Sequence, residues 1–132
     1  MRRRKLREEV FKLLFELELI SNDVETRIAD IVAEEDIKKP EDIEFLRTYI
    51  NGITENREYL EKEIKEKLIG WSFESIGNIE KVLLKLSFYE ILVMKLGYEI
   101  VINEAVELAK LYGDEKTPEF INGVLADLAE KL

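Results

Sequence analysis

The sequence predicts an all-α fold. Apolar residues recur at helical spacing along nearly the whole chain, and only two prolines and six glycines interrupt its 132 residues. No run alternates with period two for long enough to make a strand, the short Tyr98–Ile102 segment being the sole candidate. About seven helices are expected, packed as one bundle or as two sub-bundles in a single domain spanning 1–132. That length, with 46% apolar residues, is enough to bury a core without disulfides or metal.

The elements follow in order. Leu6, Val10, Leu13, Leu14 and Leu17 share one face of a helix from about Arg3 to Ile20. Ser21-Asn22-Asp23 is a turn and capping cluster, and Val24, Ile28, Ile31 and Val32 form the next face. Pro40, followed by Glu41 and Asp42, opens a helix carrying Ile43, Leu46, Ile50 and Ile53. Leu60, Ile64 and Leu68 mark another, stopped by Gly70, and Ser72 is placed as the N-cap of a short turn through Ile76. The stretch from Ile79 to Met94 is apolar on more than one side, which predicts a central buried helix ending at Gly97. Asn103 is expected to cap a helix reaching Tyr112, with Gly113 closing it. Thr117-Pro118 is expected to be an N-cap and first-turn proline for a last helix to about Lys131.

Composition removes most chemistry. The chain has no Cys, His or Gln, so thiol nucleophiles, Cys/His zinc sites and imidazole-dependent triads are excluded. There is no Gly-rich phosphate loop and no G-x-S-x-G. With 23 Glu on helices, pairs such as Glu61 with Lys65 and Glu63 with Lys67 are expected as solvated ion pairs rather than catalytic carboxylates. An enzyme is not expected, nor a metal or cofactor. The longest clean apolar run is Ile91–Met94, far short of the ~20 residues of a membrane span. Glu8, Glu9, Glu16 and Glu18 break any secretory signal, so the chain reads as cytoplasmic.

The net charge of −9 conceals an asymmetry. Residues 1–7 carry Arg2, Arg3, Arg4, Lys5 and Arg7 and no acid, whereas residues 8–132 carry 15 basic and 29 acidic side chains. A basic arm suits a polyanion such as RNA, and an acidic body suits a basic protein partner. If the helix begins at Arg3, then Arg3, Arg4 and Arg7 project to one side at spacings of three and four, ready for phosphates. Phe120, in the first turn of the last helix after Lys116-Thr117-Pro118, is a candidate to stack on an unpaired base. It is equally a candidate for the core, since it shares a face with Val124 and Leu128.

The C-terminal third carries a resemblance. Ile102-Asn103-Glu104-Ala105-Val106-Glu107-Leu108-Ala109-Lys110, then Tyr112-Gly113, then Phe120-Ile121-Asn122-Gly123-Val124-Leu125, resembles the signature of the NusB family of bacterial transcription antitermination factors. Arg3-Arg4 with Arg7-Glu8 is similar to that family's arginine-rich start, and Ile79–Leu86 with Tyr89-Glu90 is similar to its central helix. The likeness runs from the arm almost to the end and is weak across residues 21–70. It implies an all-helical protein of two small sub-bundles. It further implies pairing with NusE, a small-subunit ribosomal protein, and binding of boxA RNA in nascent transcripts within a transcription elongation complex.

Carried over by position, the resemblance assigns Arg2, Arg3, Arg4, Lys5, Arg7, Lys12, Lys116, Thr117 and Phe120 to RNA, and Phe15, Glu74 and Glu80 to NusE. It makes Asn103, Glu104 and Asn122 structural through capping or hydrogen bonding, and Gly123 a site of close helix packing. The chain departs from the family where Gly97-Tyr98 stands in place of a common proline, where Lys116 stands in place of an acid or polar residue, and where Phe15 stands in place of Tyr. Alternatives are a helical adaptor whose arm binds nothing, or the RNA-binding module of an RNA methyltransferase system. Whether the chain is a monomer or a homodimer is left open.

Overall fold

Seven α-helices and no strand make up the computed structural model, which describes residues 1–132. The chain divides into two compact units, Met1–Glu55 and Asn56–Leu132. No helix is long and apolar enough to cross a membrane.

The first unit holds α1 (Arg3–Leu19), α2 (Val24–Glu34) and α3 (Pro40–Glu55), with α3 packed against both others. Most of each predicted face is buried, namely Leu6, Val10 and Leu13 on α1, Ile28 and Ile31 on α2, and Leu46, Ile50 and Ile53 on α3, while Leu14, Leu17, Val24, Val32 and Ile43 are half-buried at the edges. Asp23 caps α2 through its carboxylate, which accepts from the Thr26 N–H at 2.9 Å and the Thr26 hydroxyl at 2.7 Å. Arg27 then grips Glu16 with two nitrogens at 2.6 and 2.8 Å, tying α2 to α1.

The second unit holds α4 (Arg57–Lys67), α5 (Asn78–Phe88), α6 (Tyr98–Tyr112) and α7 (Thr117–Glu130). Helix α5 touches α4, α6 and α7 and is buried from Val82 to Phe88, as its all-round apolar pattern requires. It continues as one wide π-type turn at Tyr89–Val93. Between α4 and α5 the chain turns at Gly70, whose φ of 80° favours glycine, and forms a 3₁₀ turn at Phe73–Ser75. The Phe73 ring anchors that turn: the ammonium groups of Lys65, Lys81 and Lys85 lie 5.6, 5.5 and 5.8 Å from its centre. Lys85, almost wholly buried, also pairs with Glu61 at 3.4 Å, and Lys65 pairs with Glu74 rather than Glu61.

Four local expectations are corrected. Asn103 caps nothing: α6 begins five residues earlier, with Gly97 at the cap position, and Asn103 lies exposed within the helix. The helical face explains this, because Val101, Ala105 and Leu108 are buried at spacings of four and three, which extends the period back through the segment read as a strand candidate. Gly97 does not end the central helix; the chain leaves it at Met94, and Lys95 takes the left-handed turn at φ 61°. Asn122 is exposed within α7. Gly123 packs against nothing, since a Cβ there meets no atom within 4 Å.

Two substitutions separate these environments. Leu84→Ala, at a fully buried position, should lower unfolding free energy by about 2–5 kcal/mol. Gly123→Ala should raise it by about 0.5–1 kcal/mol, because the site is helical and open. Denaturant melts at neutral pH check both, and a destabilised Gly123→Ala would contradict the packing described.

Candidate nucleic-acid interface

The start of α1 is strongly positive by construction. No side chain caps it and no acid lies in its first turn, so its free N–H groups and dipole add to the charges already there. Arg2, Arg3, Arg4 and Lys5 are all exposed. Arg2 and Arg4 have no acidic partner, whereas an Arg3 guanidinium nitrogen lies 3.4 Å from the Tyr49 hydroxyl. The terminal amine pairs with Asp42 at 2.8 Å.

Further along α1 the charges are spent internally. Lys5 pairs with Glu8 at 3.2 Å and Glu9 at 3.7 Å, and Lys12 pairs with Glu9 at 2.7 Å. The hydrogen bond to Glu9 raises the Lys12 ammonium above its usual pKa, and Glu8 does the same for Lys5. Arg7 is 1% exposed and so offers no surface to a phosphate, contrary to the sequence expectation. It follows Arg3 by one helical turn, and that turn carries the face from solvent into the packed layer of Leu6 and Val10. Phe15 is half-buried, its ring stacked 6.4 Å from that of Phe11.

The start of α7 is built around a buried hydroxyl. Thr117, 1% exposed, donates to the Glu80 carboxylate at 2.8 Å and accepts the Asp114 N–H at 3.0 Å. The capping carboxylate is that of Asp114, which accepts from the N–H groups of Lys116 at 2.8 Å and Thr117 at 3.2 Å. Thr117 is therefore the first residue of α7 rather than its cap, and its hydroxyl is not free for RNA. These bonds, led by the Lys116 N–H, hold the Asp114 carboxyl below the usual carboxylate range. Gly113 is required beneath them, since a Cβ there would stand 2.5 Å from that of Thr117. Glu80, half-buried, reaches from the first turn of α5 into this network, so its first task is to join the α5 and α7 starts.

Phe120 belongs neither to the core nor to bulk solvent. It is half-buried, and its ring meets that of Trp71 edge-on at 5.4 Å and 71°. Trp71 is 59% exposed, and sequence reasoning passed over it. Its signal was a lone aromatic in the polar turn after a helix-stopping glycine. Asp114, whose carboxylate closes the turn ahead of α7, was likewise legible as an acid three residues before Thr117. Lys116 is exposed beside this pair, and Glu74 is exposed, accepting the Ser72 hydroxyl at 2.9 Å. The backbone N–H of Glu74, then the Ser72 hydroxyl and the nearby Lys65, hold the Glu74 carboxyl below its usual range. No three Asp or Glu side chains are grouped to hold a metal ion.

Seven helices, one of them opening on an uncapped and positively charged start, define an all-helical protein with a candidate anion-binding surface. The NusB family profile matches residues 4–130, and the chain belongs to the NusB family. It is 43% identical over 123 residues to the transcription antitermination protein NusB of Sulfurovum sp., covering 93% of this chain and 94% of that one. It is 37% identical to the NusB of Carboxydothermus hydrogenoformans, covering 100% and 95%. Among solved structures, NusB of T. maritima superposes with a TM-score of 0.89 at 34% identity, covering 99% of this chain and 92% of that one. A NusB chain crystallised with NusE and double-stranded RNA superposes at 0.87 with 25% identity, covering 98% and 97%.

Thr117→Val should cost about 1–3 kcal/mol, because it removes a buried hydroxyl that the Asp114 N–H and the Glu80 carboxylate share. The Asp114 contribution has a definite pH sense. Its pKa is depressed on folding, so its stabilisation is complete above the unfolded value of about 3.9 and is lost as pH falls through the folded one. The melting-temperature gap between the parent and Asp114→Ala should be full at neutral pH and close in acid. A gap that ignores pH would contradict the capping role.

Proposed function

We propose that this chain is a transcription antitermination factor that pairs with a NusE-type small-subunit ribosomal protein and binds boxA RNA within the cytoplasmic transcription elongation complex. The observation that carries the RNA part is the α1 start: an uncapped helix end with no first-turn acid and the exposed, acid-free charges of Arg2 and Arg4. Such a site contacts phosphates of any sequence, so it supplies affinity and salt dependence. Lys5 and Lys12, though paired, lie on the same helix and add contacts by exchanging carboxylate for phosphate. Lys116 and Phe120 supply a second point of contact, and Thr117 acts by holding them in place. The NusB relative crystallised with NusE and RNA supports both partners.

For the protein partner, the exposed Glu74, which pairs with Lys65 at 3.5 Å, offers a carboxylate to a basic ribosomal protein, with Glu80 and Phe15 as further contacts. Glu74 is the cleaner probe, because Glu80 is also bonded to Thr117. Glu74→Lys should weaken binding to the ribosomal partner at low salt, mainly through the association rate, without lowering the melting temperature.

The RNA reading is tested by salt titration. Arg4→Ala should weaken binding to boxA and scrambled RNA alike, and reduce the slope of log K against log salt by about 0.7. Arg7→Ala should instead lower thermal stability, because Arg7 is buried. An Arg4→Ala protein with unchanged affinity and slope would remove the α1 start from the RNA site.

A further inference from the structure

Trp71 has no assigned role, yet it is the only tryptophan in the chain and stands 59% exposed. A ring of that size left in water gives up the burial that would ordinarily stabilise the fold. It nonetheless has defined neighbours. The turn beside it is anchored by Phe73 under three lysines, and its edge contact with Phe120 fixes the angle between the two rings. Clefts flank the pair. One, of about 490 Å³, is lined by Trp71, Ile76, Glu80, Asp114, Lys116 and Phe120. The other, of about 360 Å³, runs past Ile69, Gly123 and Val124, where the missing Cβ of Gly123 leaves space open.

We infer that the larger cleft is a nucleobase site in which an unpaired base stacks on Trp71 beside Phe120, and that it favours a base presenting an amino group. This inference rests on the RNA reading above and assigns Trp71 and the carboxylates of Glu80 and Asp114 a part in it. Planar apolar rings accept the face of any base. The groups at the cleft edge decide which base. Glu80 and Asp114 line it; each gives one carboxylate oxygen to the network around Thr117 and has a second oxygen, which accepts hydrogen bonds and donates none. The cytosine N4 amino group donates to such an oxygen, whereas uracil offers a carbonyl at the same place and is repelled. Lys116 at the rim is left to meet the phosphate of that nucleotide.

The sole tryptophan makes the test direct. The full-length protein is titrated with 12-nucleotide oligocytidylate and oligouridylate at low salt, recording Trp71 emission and, separately, anisotropy of labelled RNA. Oligocytidylate should quench the emission with the midpoint seen by anisotropy, and should bind at least about fivefold more tightly than oligouridylate. Trp71→Ala should lose about 5- to 150-fold in affinity with the salt slope and melting temperature unchanged, while Trp71→Phe should keep most of it. If Arg4→Ala weakens binding but Trp71 emission stays flat and Trp71→Ala binds as tightly as the parent, the base site is overturned and the RNA reading stands. Equal affinity for the two RNAs overturns the amino preference. If the parent binds neither RNA, the RNA reading fails and this site with it. A response to a lysine-rich peptide but not to RNA gives the cleft to a basic protein instead.

Discussion

The hydroxyl of Thr117 is where the second unit brings its functional groups under control. It is shared between a carboxylate from the start of α5 and an N–H from the turn before α7, and it is buried. A buried donor with a charged acceptor is costly to leave unmade, so the arrangement is held tightly. Asp114 caps the same turn, and Gly113 gives Thr117 the room to pack. Lys116 and Phe120 are on either side of Thr117, so their positions follow from that bond. The acids in this network serve geometry first and recognition second.

The first unit uses a different economy of charge. Basic residues at the extreme start of α1 are left exposed, and those one turn further on are either paired with Glu8 and Glu9 or buried. The result concentrates unpaired positive charge at a helix N-terminus, where the backbone dipole adds to it. An acidic body then disfavours nonspecific attachment of nucleic acid elsewhere on the surface. The same acidity suits a basic ribosomal partner.

Much of this was legible in the residues themselves. Helix α1 was read with nearly its observed bounds, and α3 and α5 with nearly their observed starts, because periodic burial and cap residues agree there, whereas the end of α5 was set too late, at Gly97. Helix α6 was not, since its first turn is rich in aromatic and β-branched residues whose strand preference hides the helical face continued by Val101. Arg7 was misplaced because charge alone does not say which side of a helix is covered; its burial is a tertiary fact. Thr117 was read as the cap from the Thr-Pro pair, while Asp114, in the turn, does that work. Trp71 and Phe120 meet across 49 positions of sequence, and no local pattern announces such a contact.

The central claim is that this chain and a NusE-type ribosomal protein hold boxA RNA together. It is tested most directly by measuring boxA affinity with and without that protein across a salt series. The chain alone should bind weakly and with a steep salt dependence. Adding the ribosomal protein should give tighter binding that discriminates boxA from a scrambled sequence. Equal affinity for boxA and scrambled RNA with the ribosomal protein present, or no binding at low salt, would contradict it.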